Sequence, residues 1–212
     1  MNDLHSLSHA IIHGDRDTAI SLTEQAVSSG IDPRELISAY LIPAMDEVGK
    51  RFESHEYFVP ELLLSARAMK GALELINPIL ADQGTKPLGS VVIGTVKGDL
   101  HDIGKNLVAS MLEGAGYAII DLGIDVSPEK FVETVQEKEP DVVALSALLT
   151  TTMPSMATTI DLLKSTGVRN NVKVIIGGAP VSQKYADDIG ADGYSGSASG
   201  AVNLVRTCMG HN

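Results

Sequence analysis

Apolar residues in the first 82 positions recur every three to four residues, the spacing that lines one face of an α-helix. Polar starts at Asp15 and Asp17 lead into Ala19, Ile20, Leu22, Ala26 and Val27, and Gly30 supplies a stop. A second such stretch opens with Asp32 as N-cap, Pro33 at the first helical position and Glu35 three residues after the cap. Its stripe runs through Leu36, Ile37, Tyr40, Leu41, Met45, Val48 and Phe52, with Pro43 inside it predicting a kink. A further helix starts near Pro60 and carries Leu62, Leu63, Ala66, Met69, Leu73 and Ile76. With the N-terminal segment these make four helices, the number of a small bundle.

The period changes at residue 88. Short apolar runs, "GSVVIGTV", "YAIIDLG", "DVVALSA", "VKVIIGG" and "ADGYSG", alternate with helical stretches beginning near Ile103, Pro128, Met153, Pro180 and Ala198. Five β–α units of this kind predict a flavodoxin-like (Rossmann-type) parallel sheet of five strands covered on both faces. The expected division is an α-helical domain over 1–82, a linker over 83–89 within the stretch "ADQGTKPLG" (81–89), and an α/β domain over 90–212. In open parallel sheets ligands bind outside the carboxyl ends of the strands, where the strand order reverses.

Composition narrows the partners. The 212 residues carry a net charge of −11, which opposes docking on a nucleic-acid backbone or an anionic membrane. Aromatics make up 4% and Trp is absent, so platforms for stacking single-stranded bases are not expected. Cys208 is the only cysteine, which removes an intrachain disulfide and thiolate clusters from consideration. No apolar run approaches the roughly 20 residues that span a bilayer, and no leader-like segment opens the chain; the expectation is a cytoplasmic protein.

The stretch "KGDLHDIGKN", Lys97–Asn106, carries the candidate chemistry: an imidazole and two carboxylates in a glycine-flanked loop after the first strand. A phosphate-binding loop does not fit, because Gly98 and Gly104 are wrongly spaced, Asn106 follows Lys105, and Asp99 and Asp102 repel phosphate. The Gly-x-Gly of a dinucleotide site is missing as well. A phospho-acceptor domain wants an aspartate at the end of the third strand, where Ser146 stands. Hydrolytic zinc lacks a third ligand, since the only other histidine of this half is His211. Taken alone, His101 reads equally as a turn histidine satisfied by its neighbours.

Its surroundings change that balance. Asp99, His101 and Gly104 spell Asp-x-His-x-x-Gly, with Asp102 and Ile103 inside it; Ser146 and Leu148 form Ser-x-Leu; Gly177-Gly178 ends the fourth strand. With "LGIDV" (122–126), "SALLTTTM" (146–153) and "YFVPELLLSARAM" (57–69), nearly the whole chain resembles the corrinoid, or cobalamin-binding, methyl-carrier proteins. It is similar to the helical cap plus cobalamin-binding domain of cobalamin-dependent methionine synthase.

The resemblance implies a site. Cobalamin would bind base-off/His-on: its dimethylbenzimidazole leaves cobalt, the nucleotide tail enters a slot in the α/β domain, and His101 becomes the lower axial ligand. Asp99 would fix the imidazole tautomer and raise its basicity. Gly104 would let the first helix approach the tail, and Gly177 and Gly178 would give the tail room on the opposite wall. Ser146 would hydrogen-bond the displaced base, Leu148 would pack beside it, and Thr150 would reach the corrin or its lower face. Phe58, at a helix start in the cap, would cover the upper face of cobalt. One departure is Ser197-Ala198, where relatives often carry Asp-Ala; a serine still hydrogen-bonds.

The function implied is that of a corrinoid protein in one-carbon metabolism, carrying a methyl group on cobalt between two partners and not catalytic without them. A substrate-specific corrinoid methyltransferase would bring the donor, and a methyltetrahydrofolate or thiol methyltransferase the acceptor. A reductive activator would restore oxidised cobalt, and the linker near Gly84–Gly89 would act as a hinge. The competing implication is the small cobalamin-binding subunit of an adenosylcobalamin-dependent mutase, which shares the histidine motif but normally lacks cap helices. A cobalamin-sensing regulator would need a DNA-binding segment that this acidic chain does not offer.

Overall fold

Each change of period in the chain becomes a change of architecture. The structure, a computed structural model, describes residues 4–82 and 88–210, so most of the expected linker and its hinge lie outside the described residues, as does His211. Two units emerge, Met1–Leu88 with Glu113–Tyr117, and Gly89–Leu112 with Ala118–Asn212.

The helical unit comprises α1 (Leu4–Ile12), α2 (Arg16–Ser28), α3 (Pro33–Leu36), a π-helical turn (Ile37–Leu41), α4 (Ile42–Glu53) and α5 (Val59–Asp82). Its starts are capped as the residue types demand: Asp15 accepts from the Thr18 N–H, and Asp32 from the Arg34 N–H with Pro33 following. Gly30, at φ +82°, turns the chain after α2. The predicted stripes meet in a core that includes Leu7, Ile11, Leu36, Leu41, Val48, Leu62, Met69 and Ile76, all fully buried. Buried hydroxyls are satisfied locally: Thr23 donates to the Ala19 carbonyl at 2.7 Å and Ser65 to that of Ile12 at 2.9 Å.

Pro43 acts through hydrogen-bond spacing. It has no N–H to return along the ladder, and the five residues before Ile42 wind as a π turn in which the Ile42 N–H reaches the Ile37 carbonyl. The expected irregularity is therefore a wider turn just before the proline.

The second unit is a parallel sheet, order β2-β1-β3-β4-β5, of β1 (Ser90–Thr95), β2 (Ala118–Asp121), β3 (Val142–Ser146), β4 (Lys173–Gly177) and β5 (Gly193–Ser195). Its helices are α6 (Ile103–Gly114), α7 (Pro128–Lys138), α8 (Pro154–Ser165), α9 (Gln183–Ile189) and α10 (Ala198–Met209). Val92, Val143, Leu145, Val174 and Ile176 share one core with Phe131, Val135, Met156, Ile160 and Leu163 of α7 and α8. Their strand neighbours Val91, Ile93, Val142 and Ile175 are equally buried and alternate to the opposite face, which explains the runs of consecutive apolar residues in these strands. Gly94 is small because a Cβ there would lie 2.8 Å from the Phe131 ring. The helix expected near Pro180 begins later, at Gln183, with Ser182 as its cap. Among the described residues no helix is long and apolar enough to cross a membrane.

The strand order reverses between β1 and β3, with β2 on the other side of β1. The loops leaving these three strands therefore meet at one end of the sheet.

Candidate functional site

The β1–α6 loop, Val96–Asp102, is pinned from its first residues. Val96 bridges to Val126, the Asp99 N–H donates to the Val96 carbonyl at 3.1 Å, and Gly98 takes φ +85° to close that turn. Thr95, fully buried at the end of β1, donates its hydroxyl to the His101 carbonyl at 2.8 Å.

Asp99 is the hub. Its side chain is fully buried and accepts five hydrogen bonds. Oδ1 takes the His101 N–H at 3.1 Å and the His101 ring Nδ1 at 2.7 Å. Oδ2 takes the Leu148 N–H at 2.8 Å, the Leu149 N–H at 3.2 Å and the Thr152 hydroxyl at 2.7 Å. Burial pushes this carboxyl up, but the bonds from Thr152, the His101 ring and the Leu148 and His101 amides together hold it well below the usual carboxylate range.

An ionised carboxylate only accepts, so Nδ1 of His101 is the protonated ring nitrogen and the lone pair of the neutral imidazole lies on Nε2. The side chain is 50% exposed, and Nε2 makes no hydrogen bond to the described residues. The ring is thus held by its buried nitrogen and offers the other as a donor atom. Among the described residues no group of three or more His, Cys, Asp or Glu could hold a metal ion. A lone imidazole of this kind suits a metal that brings its other ligands with it.

The other residues singled out from the motifs fall as follows. Asp102 accepts the Asn106 side-chain amide at 3.1 Å and Ile103 opens α6, 81% exposed. A Cβ on Gly104 would meet nothing within 4 Å, so the space beside the first turn of α6 is open. The Ser146 hydroxyl, at the end of β3, makes no hydrogen bond to the described residues and is half-buried. Leu148 is exposed beside Leu149, and with Leu100, Ile103 and Ile124 they set an apolar rim in these loops. Phe58 lies in the helical unit just before α5, exposed, with its N–H donated to Glu61 at 3.0 Å.

The diglycine and the threonine run have local surroundings of their own. Gly178 has a reason within the fold to be small: a Cβ there, at φ +130°, would lie 1.8 Å from the Ala147 carbonyl oxygen, and one on Gly177 would lie 3.0 Å from that of Ser195. The diglycine lets the strand ends pack against each other. Within "TTTM", the threonine joined to the histidine pair is Thr152, whereas Thr150 is exposed on the turn. Ser197, at the position of the departure, caps α10 by accepting the Gly200 N–H at 3.1 Å.

Three further contributors lie inside the quoted stretches without being singled out there. Leu149 supplies the second amide of the nest that holds Oδ2. Lys105, with its side chain 2% exposed, pairs at 2.5 Å with Asp121, whose other oxygen accepts the Gly123 N–H. Asp125 touches the loop twice, accepting the Gly98 N–H at 2.7 Å and donating its own N–H to the Asp99 carbonyl at 3.0 Å. A carboxylate inside the quoted "LGIDV" was the only available signal for it.

Known proteins resemble this chain along nearly its whole length. Residues 89–205 match a family described as the B12 binding domain, and residues 3–77 match a second family of the same description. The chain is 46% identical over 203 residues to trimethylamine corrinoid protein 2 of Methanosarcina mazei, covering 95% of this chain and 93% of that one. A cobalamin-binding protein from Desulfitobacterium hafniense superimposes with a TM-score of 0.80 at 35% identity, over 97% of this chain and 98% of that one. The methanol:cobalamin methyltransferase complex MtaBC of Methanosarcina barkeri contains a chain matched with a TM-score of 0.85 at 29% identity, over 99% of this chain and 80% of that one.

Proposed function

Because the chain belongs to the corrinoid proteins built on B12 binding domains, we propose that it binds cobalamin base-off with His101 as the lower axial ligand and carries a methyl group between two methyltransferases. The observation that carries this reading is the His101 ring, tethered through Nδ1 to buried Asp99 and presenting Nε2 outward. When bound, cobalt supplies the methyl-accepting and methyl-donating centre.

The chain's own residues do the rest. Asp99 keeps the proton on Nδ1 and makes Nε2 a better donor. Gly104 leaves the first turn of α6 free for the nucleotide tail, and the unpartnered Ser146 hydroxyl meets the displaced base. Leu100, Ile103, Leu148 and Leu149 keep water from the ring's outward nitrogen. Phe58 of the helical unit, residues 1–82, serves the upper face in the same way. Gly177 and Gly178 line the slot with backbone.

The donor side is a substrate-specific corrinoid methyltransferase, and kinship to proteins named for trimethylamine and dimethylamine supports a methylamine as donor class. The acceptor side is a methyltransferase for tetrahydrofolate or a thiol, with a reductive activator, all in the cytoplasm. A mutase subunit is the weaker reading, since the helical unit matches its own B12 binding family over residues 3–77.

The test is reconstitution of the apoprotein with cobalamin, followed by electron paramagnetic resonance of the cobalt(II) form in protein labelled with 15N-histidine. The expected spectrum shows splitting from one 15N nucleus, lost in His101→Ala. Splitting from the cofactor's own 14N benzimidazole, unchanged by the label, would overturn the assignment.

A further inference from the structure

The Asp99 loop is held from both sides of the strand reversal. On the β3 side the Asp99 carboxylate takes the Leu148 and Leu149 amides and the Thr152 hydroxyl. On the β2 side Asp125 ties Gly98 and Asp99: its Oδ1 accepts the Gly98 N–H, and the Asp125 N–H donates to the Asp99 carbonyl. These two bonds bracket the peptide joining Gly98 to Asp99. With the Asp99 N–H fixed on the Val96 carbonyl, neither backbone torsion of Asp99 can turn without breaking one of them.

Asp125 does this in an unfavoured conformation. Its φ is +53°, one of three positive values outside glycine among the described residues. Aspartate and asparagine tolerate this region better than most residues, because their short polar side chains bond locally. The side chain is exposed at the mouth of the loop, so burial of its own surface does not explain the strained turn. What the turn achieves is to aim an amide and a carboxylate at consecutive positions of the neighbouring loop.

We propose that Asp125 is a positioning residue for the Asp99–His101 pair: it fixes the Asp99 backbone so that the carboxylate meets the His101 ring in the orientation that presents Nε2. This deepens the assignment of His101 as lower axial ligand and rests on it. A loop tie that served only folding would leave the His101 ring indifferent to the identity of residue 125.

Three variants separate the possibilities. Asp125→Asn keeps an acceptor oxygen and tolerates the positive φ. Asp125→Gly keeps the backbone bond and relieves the strain, but removes the acceptor. Asp125→Ala removes the acceptor without relieving the strain, and gives a second deletion should the glycine variant fold poorly.

The first readout needs no cofactor: solvent exchange of the His101 Nδ1 proton in 15N-labelled apoprotein. Loss of the Gly98 bond should speed exchange about two- to thirteenfold in the Gly and Ala variants, the range expected for one such hydrogen bond, while Asn stays near the native rate. In protein loaded with cobalamin, the cobalt(II) spectrum of the Gly variant should mix histidine-bound and histidine-free signals, and Asn should restore the bound form alone. Exchange within twofold of native in the deletion variants would overturn the proposal, as would equal acceleration by Asn or a wholly histidine-bound spectrum in the Gly variant. A native protein that shows no histidine signal at all would sink the ligand assignment instead, and the exchange measurement tells the two failures apart.

Discussion

Replacing Asp99 by Asn exchanges one carboxylate oxygen for an NH2 group and sets the five donors around the side chain against each other. Oδ2 faces two backbone amides and a threonine hydroxyl, and Oδ1 faces the His101 amide and ring. The Leu148 and Leu149 amides cannot turn away, so the asparagine carbonyl must take the Oδ2 place and its NH2 the other. There it meets the His101 N–H donor to donor, leaving that amide without an acceptor, at about 1–3 kcal/mol. The three bonds kept on the Oδ2 side lose their charge assistance, at roughly half their strength each. Relief from burying a charge offsets part of this, for a net loss of about 2–4 kcal/mol in stability. The His101 ring can still adapt by moving its proton, accepting from the new NH2 through Nδ1 and carrying the hydrogen on Nε2. Urea denaturation measures the first effect, and 15N shifts of the ring nitrogens report the second, with the protonated nitrogen changing from Nδ1 to Nε2. The mutant loaded with cobalamin should show a weakened histidine signal. A stability change below about 0.5 kcal/mol, the usual scale for neutral surface changes, would refute the five-bond hub. An unchanged tautomer would refute Asp99 as its cause.

Two glycine substitutions should diverge. Gly104→Val fills space with no neighbour within 4 Å, so apoprotein stability should change by less than about 1 kcal/mol while cobalamin binding weakens; unchanged binding in a calorimetric titration would place the tail elsewhere. Gly178→Ala drives a Cβ to 1.8 Å from the Ala147 carbonyl at φ +130° and should cost about 3 kcal/mol or more, seen as a lower Tm of the apoprotein; a native Tm would contradict the packing role. Ser146→Ala removes a hydroxyl with no protein partner, so it should leave apoprotein stability within about 0.5 kcal/mol yet slow the recovery of base-off cobalamin; equal recovery would free Ser146 of its assigned contact.

The layout of this site shows which of its parts a linear reading can reach. Element type was legible because burial imposes a period: Val91–Ile93 and Val142–Leu145 are apolar at consecutive positions, since both faces of the sheet are covered. The helical unit announces itself through Asp15, Asp32 and Pro33, whose capping chemistry is local to a few residues. His101 and Asp99 were legible for a related reason, as residues two apart in one turn can hydrogen-bond whatever the rest of the chain does.

Everything that makes the pair a device comes from further away. Thr150, Thr151 and Thr152 are chemically identical in sequence, and only the turn that brings the Thr152 N–H to the Leu149 carbonyl at 3.0 Å aims one of them at Asp99. Asp125 reaches Gly98 because the β2 side carries two extra residues between the pair Ile93–Asp121 and the bridge Val96–Val126. Gly178 matches a binding signature, yet a carbonyl from the neighbouring strand's loop dictates its size. These three features depend on which strands are adjacent, a property of the order β2-β1-β3-β4-β5 and not of any short segment. A loop between β2 and β3 can be clamped from both sides, and the same motif at an edge strand would have one neighbour to hold it. The position of Asp-x-His-x-x-Gly after the interior strand β1 is therefore part of the chemistry: it lets one carboxylate be fixed by β3 and its backbone by β2, so that the imidazole bound through Nδ1 offers Nε2.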